Sequence, residues 1–340
     1  MPRRRRYLLS PWVCLLLLAC TAGGPGTSVA PTDGANPSTS IDTASVIVAW
    51  NSPPDELYLP LLMAISAMQE QGYNIEGRQL PETNLVIQAL TSNQVQFAAE
   101  GVPTGSLAIQ EGAPIQIIST QNSNQVVWAT LPEFEDCSTM EGQPVGTYGL
   151  DSGFTVLATI YLDRTCPGTH ETFDWIIIQD SALRAQALAE GQISATDLGL
   201  PDALALQRDY PDEFNYVYLA QALPGIGDEH VYTNTETIES HPDIVRALVR
   251  EQLLAQRFLY EHPGQAMEQV ELHLPDVETD SVIQEFIEQR IWYANGGLGG
   301  PGLENTLEAL DLTGDADEMA AGEVLEDVLA EIGESDLTEH

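Results

Sequence analysis

The chain has 340 residues, 43% of them hydrophobic, and carries 51 Asp plus Glu against 12 basic residues, for a formal net charge of −39. That length allows about two domains with ample core. All twelve cations are Arg, and so acidic a surface repels nucleic acid and anionic lipid head groups, which argues against both as partners.

Arg3 to Arg6 form a positive stretch, and Tyr7 to Ala19 an apolar run too short for a comfortable membrane span. This reads as a signal peptide over 1–19. It ends Leu17-Leu18-Ala19-Cys20, which resembles a bacterial lipobox, so Cys20 is expected to be acylated and to become the mature N-terminus. Residues 20–44, rich in Gly, Pro, Ser and Thr, read as a flexible tether. Beyond the signal, 8 Arg face 51 acids, a net of −43. A high-salt habitat or a cationic ligand would each account for that charge.

The first folded unit opens with strand Val46 to Trp50, a loop to Glu56, and a helix from about Leu57 to Gln71, stopped by Gly72. A second strand lies near Tyr73 to Gly77. Thr83 or Asn84 then caps a short helix that runs through Gln88-Ala89-Leu90, followed by strand Val95 to Ala99 and the turn Gly101-Val102-Pro103. Helix Thr104 to Glu111 and strand Ile115 to Thr120 close the unit. Gln121 to Asn124 is a polar break, and the apolar run Val126 to Leu131 reads as a first crossing between two lobes.

The pattern then repeats 98 residues later without a gap. Strand Pro144 to Tyr148 lies over Val46 to Trp50, and Gln186-Ala187-Leu188 over Gln88-Ala89-Leu90; Gly199-Leu200-Pro201 lies over Gly101-Val102-Pro103. Residues 46–122 and 144–220 are therefore two copies of one βαβαβαβ unit. Between the second copy's elements lie helix Phe154 to Arg164, strand Phe173 to Ile178, a cap at Asp180 or Ser181, helix Asp202 to Arg208 and strand Phe214 to Leu219. Ala222 to Glu229 reads as a Gly-rich turn and second crossing. From His230 onward the chain is expected to be helical, with Pro242 to Glu261 a long amphipathic helix and further helices near 263–273, 279–293, 303–310 and 317–332.

Alternating strands and helices call for a mostly parallel sheet covered on both faces, with ligands bound beyond the carboxyl ends of the strands. Two copies joined by two crossings give two lobes, 45–125 plus 225–340 and 126–224, facing each other across a cleft. Cys137 precedes one strand of the second copy and Cys166 ends the helix after it. They lie on one edge of that sheet, so a disulfide is geometrically open to them, two free thiols being the alternative.

With its lipobox, tether, aromatic loop before helix Leu57 to Gln71, and the segments "IQALTSNQVQFAAEGVP" and "AQALAEGQISATDLGLP", the chain resembles ABC-transporter substrate-binding lipoproteins. The subgroup is the nitrate/sulfonate/taurine and thiamine-precursor one (NMT1/THI5-like, SsuA-like). The resemblance spans about 45–335. It departs where Gln96 and Ser194 replace the Asp that usually follows the Gly-Glu-Val turn. It implies an α/β, type II periplasmic-binding-protein fold of two lobes joined by a two-strand hinge, with a helical C-terminal extension. It also implies an extracytoplasmic, usually monomeric receptor that hands a small solute to an ABC permease, touches the membrane through its lipid alone, and needs no cofactor.

Five loops are then expected in the cleft. Trp50 and Tyr148, at equivalent positions, are placed to sandwich a flat heterocycle, or are strand-end aromatics of the core. Asn51, Ser52, Gly101 and Gln121 line the same strand ends. Ser152, Gly153 and Phe154 open a helix whose N–H groups suit an oxyanion such as a sulfonate, or are ordinarily capped. Glu100 and Asp197 are placed to accept hydrogen bonds from a ligand amine, or are solvated acids. The solute is therefore either a planar nitrogen heterocycle or a small oxyanion. Enzyme readings lack support: the histidines show no metal-ligating spacing, there is no nucleophile elbow or phosphate loop, and the Cys-rich cluster of pyrimidine synthases of this fold is missing. A ligand-sensing receptor that signals to a membrane partner is the remaining alternative.

Overall fold

The computed structural model describes residues 45–150, 152–275, 282–298, 302–310 and 312–337. The expected signal peptide, the expected tether and the expected acylation site Cys20 lie outside the described residues. Two five-stranded sheets organise the rest.

The first sheet begins with β1 (Val46–Trp50), whose five residues are all buried. Such a continuous apolar run is what a strand covered on both faces requires. Helix α1 (Leu59–Glu70) follows after a 3-10 turn, then the exposed edge strand β2 (Ile75–Gln79). Helix α2 (Thr83–Thr91), β3 (Phe97–Gly101), α3 (Val102–Gln110) and β4 (Ile115–Ser123) complete the first copy. Next comes β5 (Val126–Thr130), and then the second copy. Its elements are β6 (Pro144–Thr147), α4 (Gly153–Thr165), β7 (Asp174–Ile177), α5 (Ser181–Ala189), β8 (Ala195–Gly199), α6 (Leu200–Asp209), β9 (Asn215–Tyr218) and the short α7 (Leu219–Ala222). Helices α2 and α5, and strands β3 and β8, start 98 residues apart, as the duplicated sequence predicts.

The chain does not turn helical at His230. Gly227–Asn234 is a strand, β10, and the apolar run at 126–130 is likewise a strand rather than a bare crossing. Both are antiparallel to their neighbours: β10 lies between β3 and β4, and β5 between β8 and β9. The sheet orders are β2-β1-β3-β10-β4 and β7-β6-β8-β5-β9. Replacing each first-copy strand by its duplicate, and β10 by β5, converts one order into the other. The repeat therefore includes its reversed strand, which the first lobe receives only after the chain returns from the second. A β-branched and aromatic run, Val231-Tyr232-Thr233, makes β10 a good strand former.

The two lobes are joined where β4 runs into β5 and where the segment after α7 runs into β10. These crossings lie side by side: the Asn124 N–H donates to the Ile226 carbonyl at 3.1 Å. The remaining helices are α8 (Thr235–Ser240), α9 (Pro242–Glu261), α10 (Ala266–His273), α11 (Val282–Glu288), α12 (Gly302–Ala309), α13 (Ala316–Met319) and α14 (Gly322–Ile332). Helix α9 packs on α1, and α14 on α9, so this extension covers the first lobe. The expected last helix is split at Ala320, which bridges to Ile117 of β4 instead of continuing the helix. The Trp292 indole N–H, donated to the Leu57 carbonyl at 3.0 Å, ties the extension to the 3-10 turn before α1. Gly297, at φ 64°, lies where any Cβ would meet Thr120 and the Tyr293 ring.

In the second lobe a disulfide joins Cys137 to Cys166, with their Cα atoms 6.0 Å apart. These sulfurs and Asp136 are the one set of ligating atoms close enough for a metal among the described residues. The bond between the sulfurs removes them from that role. Among the described residues, no helix is long and apolar enough to cross a membrane.

Candidate functional site

The strand ends of the first lobe collect most of its predicted residues into two hydrogen-bonded groups, one around Glu100 and one around Glu229, close enough to interact electrostatically. Glu100, near the end of β3, is 2% exposed. The Thr83 hydroxyl and the Gly101 N–H hold its carboxylate, and burial pushes its pKa up to about 7. Asn51 donates from its side-chain amide to the Thr83 hydroxyl. Thr83 is free for this because it is not the cap of α2: Glu82 holds that position without a side-chain bond.

Gln121, fully buried on β4, donates to Glu229 at 3.0 Å, and the Tyr58 hydroxyl donates to the other Glu229 oxygen at 3.1 Å. Ser52 is hydrogen-bonded to that Tyr58 hydroxyl. Burial, then the neighbouring Asp228, raise Glu229 to about 8. Burial also carries Asp228 up to about 6, against hydrogen bonds from Gln125 and Asn122. His230, the cross-strand partner of Glu100, is 1% exposed, has no partner for either ring nitrogen, and is held neutral by burial, down to about 3. One oxygen each of Glu100 and Gln121 is buried without a partner.

Trp50 does not offer a stacking face. It is 5% exposed, its ring lies across Gly77, where a Cβ would come within 2.2 Å of it, and Tyr58 packs 5.8 Å away. Tyr148 is 49% exposed. The two are not a matched pair, and the aromatic sandwich is replaced by one core residue and one surface residue.

The second lobe closes on itself. Asp197 is fully buried, with Arg184 Nε 3.1 Å from one carboxylate oxygen and the Thr147 and Thr155 hydroxyls each donating to the other at 2.9 Å. Burial raises its pKa; Arg184 and the two threonines oppose that rise. It is therefore not the solvated or ligand-facing acid of the sequence reading. The start of α4 is also occupied. Ser152 caps it by accepting the Thr155 N–H at 3.2 Å, and the Thr155 hydroxyl is turned to Asp197. An anion already sits beside this terminus, and it is the chain's own. Gly153 is exposed in the first turn, and Phe154 packs against the core of this lobe, 3.7 Å from where a Cβ on Gly199 would stand. Gly101 serves as the N-cap of α3, with no side chain to contribute.

Sequence reasoning missed Glu229, Asp228, Tyr58, Thr83 and Arg184. The first two were hidden by reading Ala222 to Glu229 as a turn. The alternation of Glu229, Val231 and Thr233 with His230 and Tyr232 was the available signal for a strand. A buried Arg on a short helix leaves no sequence signature.

The model of the NMT1/THI5-like family matches residues 68–266 of the chain. Among solved structures, the chain is similar to the ligand-binding component of an ABC-type import system from Staphylococcus aureus, solved with zinc bound. The two share 12% identity and a TM-score of 0.63, covering 84% of this chain and 99% of that one. It is also similar to the periplasmic sulfonate-binding protein SsuA of a putative sulfonate ABC transporter from Methylobacillus flagellatus KT, at 12% identity and TM-score 0.65, covering 88% and 98%. The nitrate-binding protein NrtA of Synechocystis PCC 6803 matches at 10% identity and TM-score 0.54, covering 85% and 89%. At such identities these likenesses establish the fold. No curated protein matches the chain in sequence.

Proposed function

The chain belongs to the NMT1/THI5-like family, and from that membership we propose that it is a solute-binding protein of an ABC importer, taking a small molecule between its lobes and presenting it to the permease. The observation that carries this reading is the pair of identically ordered sheets joined by two adjacent crossings. Hinged closure of two such lobes on a ligand is an established mode of motion. No catalysed reaction forms part of the reading. Anchoring at the outer face of the membrane through an acylated Cys20 is proposed from the sequence alone. Converting Cys20 to Ser is expected to move the protein from the membrane fraction to the soluble one.

Of the two solute classes, the nitrogen heterocycle is the better supported. The first lobe presents buried acceptors, whereas at the helix terminus suited to an oxyanion the Thr155 hydroxyl is already given to Asp197 and the Thr155 N–H to Ser152. A thermal-shift panel tests the function: sulfonates, nitrate and bicarbonate against pyrimidines, thiamine precursors and flavins. A ligand at 100 times its Kd stabilises by about 2.7 kcal/mol. A shift with one class supports the importer role; none with any member speaks against it.

A further inference from the structure

The strand ends of the first lobe hold two carboxylates without a cationic partner among the described residues. Glu100 is met by the Thr83 hydroxyl and the Gly101 N–H, and Glu229 by the Tyr58 hydroxyl and the Gln121 amide. These partners are all neutral. This contrasts with the fully buried Asp197 of the second lobe, which has Arg184.

Acids alone would not make a site in a chain this acidic. The independent observation is Gln121. It is 0% exposed, its amide is fixed on Glu229, and its own carbonyl oxygen has no hydrogen-bond partner. An unpartnered oxygen of Glu100 is buried as well. Buried acceptors are normally paired, so these two, at the strand ends of the first lobe, are places where a bound solute can supply the donors. The other titratable groups around the pair add no positive charge. They are Asp55 at the start of the 3-10 turn, Tyr58 on it, and Asp228, His230 and Tyr232 on β10, with His230 neutral.

We propose that this end of the site selects a small organic cation whose charge is carried by N–H groups, such as an amidinium, guanidinium or protonated amino-heterocycle, held by Glu100, Glu229 and the Gln121 carbonyl. The proposal rests on the solute-binding reading and adds the sign of the solute's charge. An N–H cation satisfies the open acceptors and neutralises the carboxylates together, through charge-assisted hydrogen bonds. A quaternary ammonium brings charge without donors, and Trp50 is too deeply packed to form an aromatic cage for it. Because both carboxyls are raised, the cation displaces protons as it binds, and affinity rises with pH through about 7 to 8.

The test is isothermal titration of the purified protein with guanidinium, benzamidine and 4-aminopyridine, each at pH 6 and pH 8.5. The neutral isostere benzamide, choline, methanesulfonate and nitrate complete the set. Expected is binding of one or more N–H cations, tighter at pH 8.5, with proton release read from buffers of different ionisation heat. Benzamide and choline should be weaker by on the order of 100-fold. Glu100→Gln and Glu229→Gln should each weaken the cation by on the order of 10- to 100-fold, with melting temperatures held or raised, so that loss of fold does not imitate loss of the site. Binding of methanesulfonate or nitrate without any cation overturns this proposal and leaves the solute-binding reading standing. Equal binding of benzamidine and benzamide, or cation binding that survives both substitutions, also overturns it. Failure of every compound overturns the proposal and counts against the importer role as well.

Discussion

The two lobes share strand order and a duplicated sequence, yet they treat a buried acid at the end of the third strand in opposite ways. In β3 the acid is Glu100, the fourth residue; in β8 it is Asp197, the third. Side chains alternate faces along a strand, so this single step sends them to different sides of their sheets. Asp197 meets Arg184 and two threonines and becomes internal structure, whereas Glu100 meets only neutral donors. The helix starts diverge in the same sense. Asp180 caps α5 by accepting from the Leu183 N–H, while α2 lacks a side-chain cap and lends Thr83 to Glu100. One copy of the unit has spent its polar groups on itself, and the other has kept them for something else.

The strongest way to break this contrast is to remove Arg184. Arg184→Ala leaves Asp197 buried without its counter-charge and is expected to destabilise the protein by about 3–5 kcal/mol in denaturant unfolding. A loss below about 1 kcal/mol would mean that Asp197 is not held as described. The aromatic pair divides along the same line. Trp50→Ala empties a core position and should cost about 3–5 kcal/mol, while Tyr148→Ala, at an exposed site, should stay within about 0.5 kcal/mol. Comparable costs at both positions would restore them as equivalents.

The second lobe alone carries a disulfide among the described residues, across a sequence separation of 29. Its reduction should destabilise by about 2–4 kcal/mol, and lobe-resolved hydrogen exchange should find the added opening in residues of the second sheet. Uniform change in both lobes would contradict that placement.

The contrast also reaches pH dependence. In the folded protein Glu100 and Glu229 hold protons up to about 7 and 8, from ordinary values of 4.5. Between those limits the folded state binds more protons than the unfolded one, so stability falls as pH rises from about 4.5 to about 8. Glu229→Gln should flatten this slope and raise the melting temperature at pH 8. A steeper slope in the variant would reverse the sign assigned here.

Much of the architecture was legible because duplication is a pattern of sequence itself: Gln-Ala-Leu and Gly-x-Pro return at one offset, and the helices and strands around them follow. The reversed strands were not, because β5 and β10 lie outside the gapless repeat and take their places only through pairing with distant residues. In the first lobe the candidate site was legible as strand-end neighbours, where Asn51 and Glu100 share Thr83, and Ser52 and Gln121 meet through Tyr58 and Glu229. It was misread in the second, since nothing local in "AQALAEGQISATDLGLP" reveals that Arg184 and Thr155 reach Asp197 from two helices. Trp50 and Tyr148 share an offset but not an environment: Trp50 faces Gly77 on the neighbouring strand, and Tyr148 has no such glycine to lie on.

The central claim is that solute binds between the lobes and draws them together about the paired crossings at Asn124 and Ile226. Small-angle X-ray scattering of the purified protein, with and without a saturating ligand identified by thermal shift, tests it most directly. The account predicts a smaller radius of gyration in the bound state, with the change reversed on dialysis. A ligand that stabilises the protein while leaving the radius of gyration unchanged would contradict it.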